Sequence, residues 1–164
     1  KTASNLTGPM IATGPGSPRP RPGLGVQVPP HSLYPALERL GPVLTEDVCV
    51  PIAAVPDMLA RIEQIAGRHD ILIANIAHIG DGNLHPLLIS DPGDTAAQDR
   101  AKIAFEEILS DALDLGGTVT GEHGVGLLKR AGLARELSPA VLDMHRAVKA
   151  ALDPYHILNP GKIF

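Results

Sequence analysis

At 164 residues, with 44% hydrophobic, 20% charged and 2% aromatic side chains, the chain is one domain of ordinary size or part of a larger one. A net charge of −4 and only four scattered aromatics, Tyr34, Phe105, Tyr155 and Phe164, argue against nucleic acid as a partner, because neither a basic field nor a base-stacking platform can be assembled. The sequence holds no apolar run of membrane-spanning length and no leader-type start, so no transmembrane segment is expected and the chain reads as cytoplasmic. Cys49 is the single cysteine. It excludes an intrachain disulfide or a C-x-x-C site, fits a reducing compartment and reads as a small buried apolar residue.

Residues 1–33 hold seven of the sixteen prolines, five glycines and no Asp or Glu. The stretch Gly14 to Gly23 alternates proline with polar residues and glycine, and each proline removes a donor and restricts its predecessor. This segment is expected to be extended or disordered and non-globular, with the folded domain in residues 34–164. Lys1 in place of Met is what a piece of a longer chain would show.

Val48, Val50 and Ile52 alternate with Cys49 and Pro51, which predicts a short edge strand. Met58, Leu59, Ile62, Ile65 and Ala66 recur at helical spacing after Pro56, with Gly67 marking the expected end. A strand-length run from Ile71 to His78, the turn Gly80-Asp81-Gly82-Asn83 and a second run from Leu84 to Ile89 predict a hairpin. A longer helix is predicted from Thr95, where Thr95 and Gln98 have capping-box spacing, through Ala101, Phe105, Ile108, Ala112 and Leu115 to Gly116-Gly117. Thr118 to Thr120 is a last short strand. Ser138-Pro139 opens a final helix with Val141, Met144, Val148 and Leu152 on one side, ending at Asp153-Pro154. The order β-α-β-β-α-β is that of an α+β, ferredoxin-like antiparallel sheet with helices on one face, followed by a C-terminal helix.

In a hairpin closed by Asp81-Gly82, Gly80 faces Asn83, Ile79 faces Leu84 and His78 faces His85. Directly opposed residues hold their Cβ atoms about 5 Å apart on one face, so two imidazoles can converge on one ion. Such a pair suits Zn, Mn or Fe, and a carboxylate as third ligand would leave positions open for substrate. The rival reading is two histidines at the core edge with backbone partners. Asp81 is either a turn former or an acceptor that fixes a histidine tautomer.

A second polar knot, Thr120-Gly121-Glu122-His123-Gly124-Val125-Gly126, follows the last strand. Its glycines allow close backbone approach, and their spacing does not match the dinucleotide fingerprint, which we reject here. If the last strand neighbours the hairpin, Glu122 becomes the third ligand beside His78 and His85. His123 then stands next to the ion as a proton acceptor, the role an imidazole suits. Solvated or carbonyl-capping roles for Glu122 and His123 stay open at this point. Asn159-Pro160-Gly161-Lys162 reads as a turn after a helix, and His31, His69, His145 and His156 as structural or solvated.

Taken together, Thr45 to Pro51, His78 to Pro86, Gly117 to Gly126, and Leu152 to Pro154 with Asn159 to Lys162 resemble, in the same order, the C-terminal domain of FAD-linked oxidases. The branch is the vanillyl-alcohol-oxidase superfamily group with the glycolate oxidase D subunit and D-lactate dehydrogenase. The resemblance covers Tyr34 to Phe164. It implies oxidation of a D-2-hydroxy acid of glycolate or D-lactate type to the 2-keto acid, with hydride passing to FAD. It further implies a divalent metal on His78, His85 and Glu122, and His123 as the catalytic base. Asn159 and Lys162 become flavin contacts. The implied partners are a small 2-hydroxy acid and a flavin domain or electron-acceptor subunit, the latter able to hold the protein peripherally at the inner membrane.

Two departures stand beside the match. The family's FAD is held mainly by an N-terminal domain that is not in this chain, so the fragment is expected to be inactive alone. The family also places an arginine for the substrate carboxylate shortly before the pair that here is Tyr34-Pro35, where this chain has Val28-Pro29-Pro30-His31. Both are what a frameshift, misplaced start or truncated gene would leave. Two rival functions remain at this level: a metal-dependent hydrolase using the same three ligands, and a non-catalytic metal-binding or interaction remnant.

Overall fold

The computed structural model describes Ile11–Thr13 and residues 30–164, with side chains described from Tyr34 onward. In chain order the elements are β1 (Ile11–Thr13), α1 (Pro30–Glu38), β2 (Val43–Thr45), β3 (Val48–Cys49), a 3₁₀ turn (Ile52–Ala54) and α2 (Val55–His69). They continue with β4 (Leu72–His78), β5 (Asn83–Ile89), α3 (Thr95–Asp114), α4 (Arg130–Glu136) and α5 (Pro139–Leu152).

The strands form one antiparallel sheet in the order β1-β4-β5-β2, with β3 also on β5. Thr118 closes the far side by a single antiparallel bridge to Cys49, so the expected last strand shrinks to one residue pair. This is the split β-α-β-β-α-β arrangement anticipated from the sequence, extended by β1 beside β4. The strand Ile11–Thr13 and the start of α1 fall within residues 1–33, the segment expected to be non-globular; Gly14 to Gly23 lies outside the described residues.

One face of the sheet packs on α2 and α3. Val48, Ile73, Ala77, Leu84 and Leu88 meet Met58, Ile62, Ile65, Ala104, Ile108 and Leu109 in a continuous buried core. Period-2 alternation sends the other half of each strand to the opposite face. There Ala74, Leu87 and Ile89 pack under Leu37 of α1. Beyond α1, the same face carries His78, Asn83 and His85.

Several boundaries differ from the sequence expectation, each for a physical reason. The edge strand predicted over Val48 to Ile52 ends at Cys49, because Pro51 leads into the 3₁₀ turn, and an additional strand, Val43–Thr45, precedes it; between the two, Pro86 on β5 accepts from the Glu46 N–H but has no N–H to return. Helix α2 runs through Gly67 and ends at Asp70, which takes the left-handed conformation with φ 50°. Asp94, not Thr95, caps α3, its carboxylate accepting from the Ala97 N–H. Helix α4 escaped notice because Gly132 sits in it. That glycine is needed, since a Cβ there would meet Val119 Cγ1 at 2.9 Å. Ser138 caps α5 as expected, but its Met144, Val148 and Leu152 are exposed. No helix among the described residues is long and apolar enough to cross a membrane.

Candidate functional site

The hairpin register differs from the one expected. Asn83, not His85, stands opposite His78, and His85 stands opposite Ile76, because the connection is a four-residue loop from Ile79 to Gly82. A two-residue shift keeps every side chain on its face, whereas a one-residue slip would have sent the imidazoles to opposite sides. His78 and His85 are therefore diagonal neighbours on one face, with ring centroids 5.3 Å apart and nearly perpendicular planes. Gly82, at φ 79°, permits the loop: a Cβ there would lie 2.0 Å from the Val50 carbonyl oxygen. Asp81 is the turn former, its carboxylate accepting from the Asn83 N–H.

The loop after Thr118 folds over this patch. Gly121 lies on the Asn83 side chain, so closely that a Cβ would sit 2.5 Å from it. Glu122 is carried above the imidazoles, with Oε1 3.2 Å from His85 Nε2, 3.7 Å from His78 Nε2 and 3.6 Å from His123 Nε2. His123 stacks on His85 at 4.8 Å between centroids with 15° between planes. The structure thus brings together all four residues singled out from the sequence at this end, and the ligand atoms of His78, His85 and Glu122 lie within 4.8 Å of one another. Such a donor set, two imidazoles and one carboxylate, is one that divalent ions accept.

Asn159 and Lys162 are elsewhere. They form an exposed C-terminal turn closed by the Lys162 N–H to the Asn159 carbonyl, outside the group around Glu122. The tail touches the loop only at its far end, where the Ile163 N–H donates to the Gly126 carbonyl.

Sequence reasoning passed over Glu46, Asp47 and Lys129 as individual residues. Continuing the register of β2 and β3 on β5 puts Glu46 across from Pro86 and Asp47 across from His85. Glu46 points to the helix side, where Lys129 Nζ lies 2.7 Å away. Lys129 also donates to the Asp47 and Val119 carbonyls. Asp47 points to the imidazole side. Its Oδ2 accepts from the Thr120 hydroxyl (2.6 Å) and the backbone N–H groups of Gly121 (3.0 Å), Glu122 (3.1 Å) and His123 (2.9 Å). The only sequence signal was that two adjacent carboxylates interrupt an apolar alternation.

Their ionisation differs accordingly. Burial pushes the Glu46 carboxyl up to about 7, only partly offset by Lys129. Burial also acts on Asp47, but hydrogen bonds from Thr120 and from the His123 and Glu122 amides outweigh it and hold the carboxyl at about 2. His85 is held below its ordinary value by burial and by the neighbouring His123, against the pull of Asp47 and Glu122, so it is neutral at neutral pH. A neutral imidazole is the form that can ligate a metal.

A cavity of about 190 Å³ opens beside His123, walled by Thr45, Phe105 and the loop from Gly124 to Lys129. A larger one of about 460 Å³, bounded by β2 and α3, contains none of the four site residues.

The split sheet and the imidazole–carboxylate cluster on its open face define a class that comparison with known proteins makes definite. Residues 31–163 match the family model for FAD linked oxidases, C-terminal domain, and the chain belongs to that family. It is 45% identical over 135 residues to the glycolate oxidase subunit GlcD of Bacillus subtilis, covering 82% of this chain and 29% of that protein. It is 40% identical over 117 residues to a probable mitochondrial D-lactate dehydrogenase of Danio rerio (71% of this chain, 24% of that one). To the Escherichia coli GlcD it is 35% identical over 130 residues (79% and 26%). The chain therefore spans less than a third of the length of these curated relatives.

Proposed function

We propose that this chain is the substrate- and metal-holding part of an FAD-dependent oxidoreductase that converts a D-2-hydroxy acid of glycolate or D-lactate type to the 2-keto acid. The observation that carries this reading is the convergence of His78, His85 and His123 on a single oxygen of Glu122. Family membership supplies the redox class, and the names of the relatives supply the substrate type.

The residues fit a divalent cation of the Zn, Mn or Fe kind. His78 Nε2, His85 Nε2 and Glu122 Oε1 would hold it, and the neutral state of His85 leaves a lone pair to give. A bound cation would supply Lewis acidity to the substrate hydroxyl, and a flavin carried outside this domain would supply the hydride-accepting chemistry for Cα. His123 does the proton work: its Nε2, facing the same Glu122 oxygen, accepts the hydroxyl proton as the carbonyl forms. Stacking on His85 fixes the plane of that ring. The substrate chain occupies the cavity beside His123. Asn159 and Lys162 remain flavin contacts in this reading. Residues 1–30 precede the family match, and an electron acceptor or partner subunit completes the enzyme in this reading.

The test is to supply FAD with a flavin domain of this family and follow dye reduction with D-lactate or glycolate after metal loading. Turnover that disappears in His123→Ala is the expected result. Ester hydrolysis without flavin, and no dye reduction with either acid, would overturn it.

A further inference from the structure

We propose that Asp47 is the positioning residue of the imidazole centre: it holds the Glu122–His123 loop by the backbone and fixes His85 with its proton on Nδ1, leaving Nε2 as the ligating nitrogen. The consequence for metal binding rests on the reading above; the geometry does not.

The two oxygens of Asp47 are used differently. Oδ2 takes four donors from the loop, while Oδ1 receives only the Glu122 N–H at 3.3 Å and faces His85 Nδ1 at 3.7 Å. His85 Nδ1 is buried with no hydrogen-bond partner among the described residues, and the carboxylate oxygen that faces it is this one. The Asp47 side chain is 1% exposed and that of His85 6%. An ionised carboxylate only accepts, so a lone pair on Nδ1 would set two acceptors against each other in a water-poor site. A proton on Nδ1 removes that conflict by a displacement of under an ångström. It leaves the lone pair of a neutral ring on Nε2, where the nearest acceptor, Glu122 Oε1 at 3.2 Å, belongs to a side chain 52% exposed that can turn into water, whereas the buried Asp47 carboxylate is pinned by its four donors and cannot. One carboxylate thereby ties β3, β5 and the loop into a single arrangement. Asp81, the acceptor weighed from the sequence, is engaged in its own turn.

The chain treated with EDTA at neutral pH reports this directly through long-range ¹⁵N–¹H correlations of its imidazoles. We expect Nδ1–H and a bare Nε2 for His85; a bare Nδ1 with Nε2–H in the wild type overturns the inference without any variant. In Asp47→Asn the amide oxygen can still serve the loop while the NH2 group faces Nδ1. The His85 proton is then expected on Nε2, and Zn(II) affinity by calorimetry to fall about 10- to 100-fold with the melting transition retained. A folded Asp47→Asn whose His85 tautomer is unchanged and whose Zn(II) affinity stays within about twofold also overturns it. Wild type that binds no Zn(II), yet shows Nδ1–H and its reversal in Asp47→Asn, sinks the metal reading and leaves the positioning role of Asp47 in place.

Discussion

Glu46 and Asp47 are adjacent, equally buried and alternate to opposite faces of the sheet, yet their environments drive them apart. On the helix side Glu46 is surrounded by apolar packing, has Lys129 as its counter-charge and keeps Oε2 without a partner. On the imidazole side Asp47 is wrapped by a hydroxyl and three backbone amides. Burial alone therefore does not decide the charge of a carboxylate. The number of donors aimed at it does, and here those donors belong to the loop that bears Glu122 and His123.

The largest effect should come from emptying the helix-side ion pair and leaving its buried carbonyls without their donor. Lys129→Met removes the cation and two carbonyl contacts, and we expect a loss of about 3–5 kcal/mol in urea unfolding at neutral pH. Adding Glu46→Gln should restore a substantial part of it; strictly additive losses would show that the pair is not coupled. Ile62→Ala, in the same core, should cost about 2–5 kcal/mol yet leave the amide shifts of Gly121 to His123 unmoved, because the sheet separates them. A disturbance of those amides would break the distinction between faces.

Gly121→Ala acts on the other side. Its Cβ would meet Asn83 at 2.5 Å, so a loss of about 1–3 kcal/mol is expected, together with weaker protection of the loop amides against exchange. Asn83→Ala in the same chain should relieve it. Gly80→Ala, whose Cβ would meet nothing within 4 Å, is the matched control, and its melting temperature should stay near that of the wild type.

The faces also differ in pH dependence. The folded Glu46 keeps its proton up to about 7 against an ordinary 4.5, so between those values the folded state binds more protons and stability falls as pH rises. Glu46→Gln should flatten that slope. Asp47 runs the other way. Its contribution is present above its ordinary 3.8 and is lost as pH falls toward about 2, which Asp47→Asn should abolish in acid unfolding curves.

Much of this was legible in the residues. Apolar spacing announced α2, α3, β4 and β5, because each must bury one stripe or face, and the two histidine motifs stood out by composition. Boundaries were missed where a neighbour in space decides them. From across the sheet Pro86 returns no N–H between β2 and β3, and Gly132 hides α4 because its purpose is contact with Val119. The apolar side of α5 was visible by periodicity, but Met144, Val148 and Leu152 are more than half exposed. The hairpin register was misjudged by two residues, an even number that left both imidazoles on one side.

By itself the sequence determined which chemistry is available: two strand-borne imidazoles, a glycine-set Glu-His pair and the alternation that confines them to one face. Only the tertiary structure decided that they meet, and that Asp47 stands where they do. Side-chain periodicity is local and can be counted along the chain, whereas the partner of a buried carboxylate is set by strands and loops brought together from more than seventy positions away.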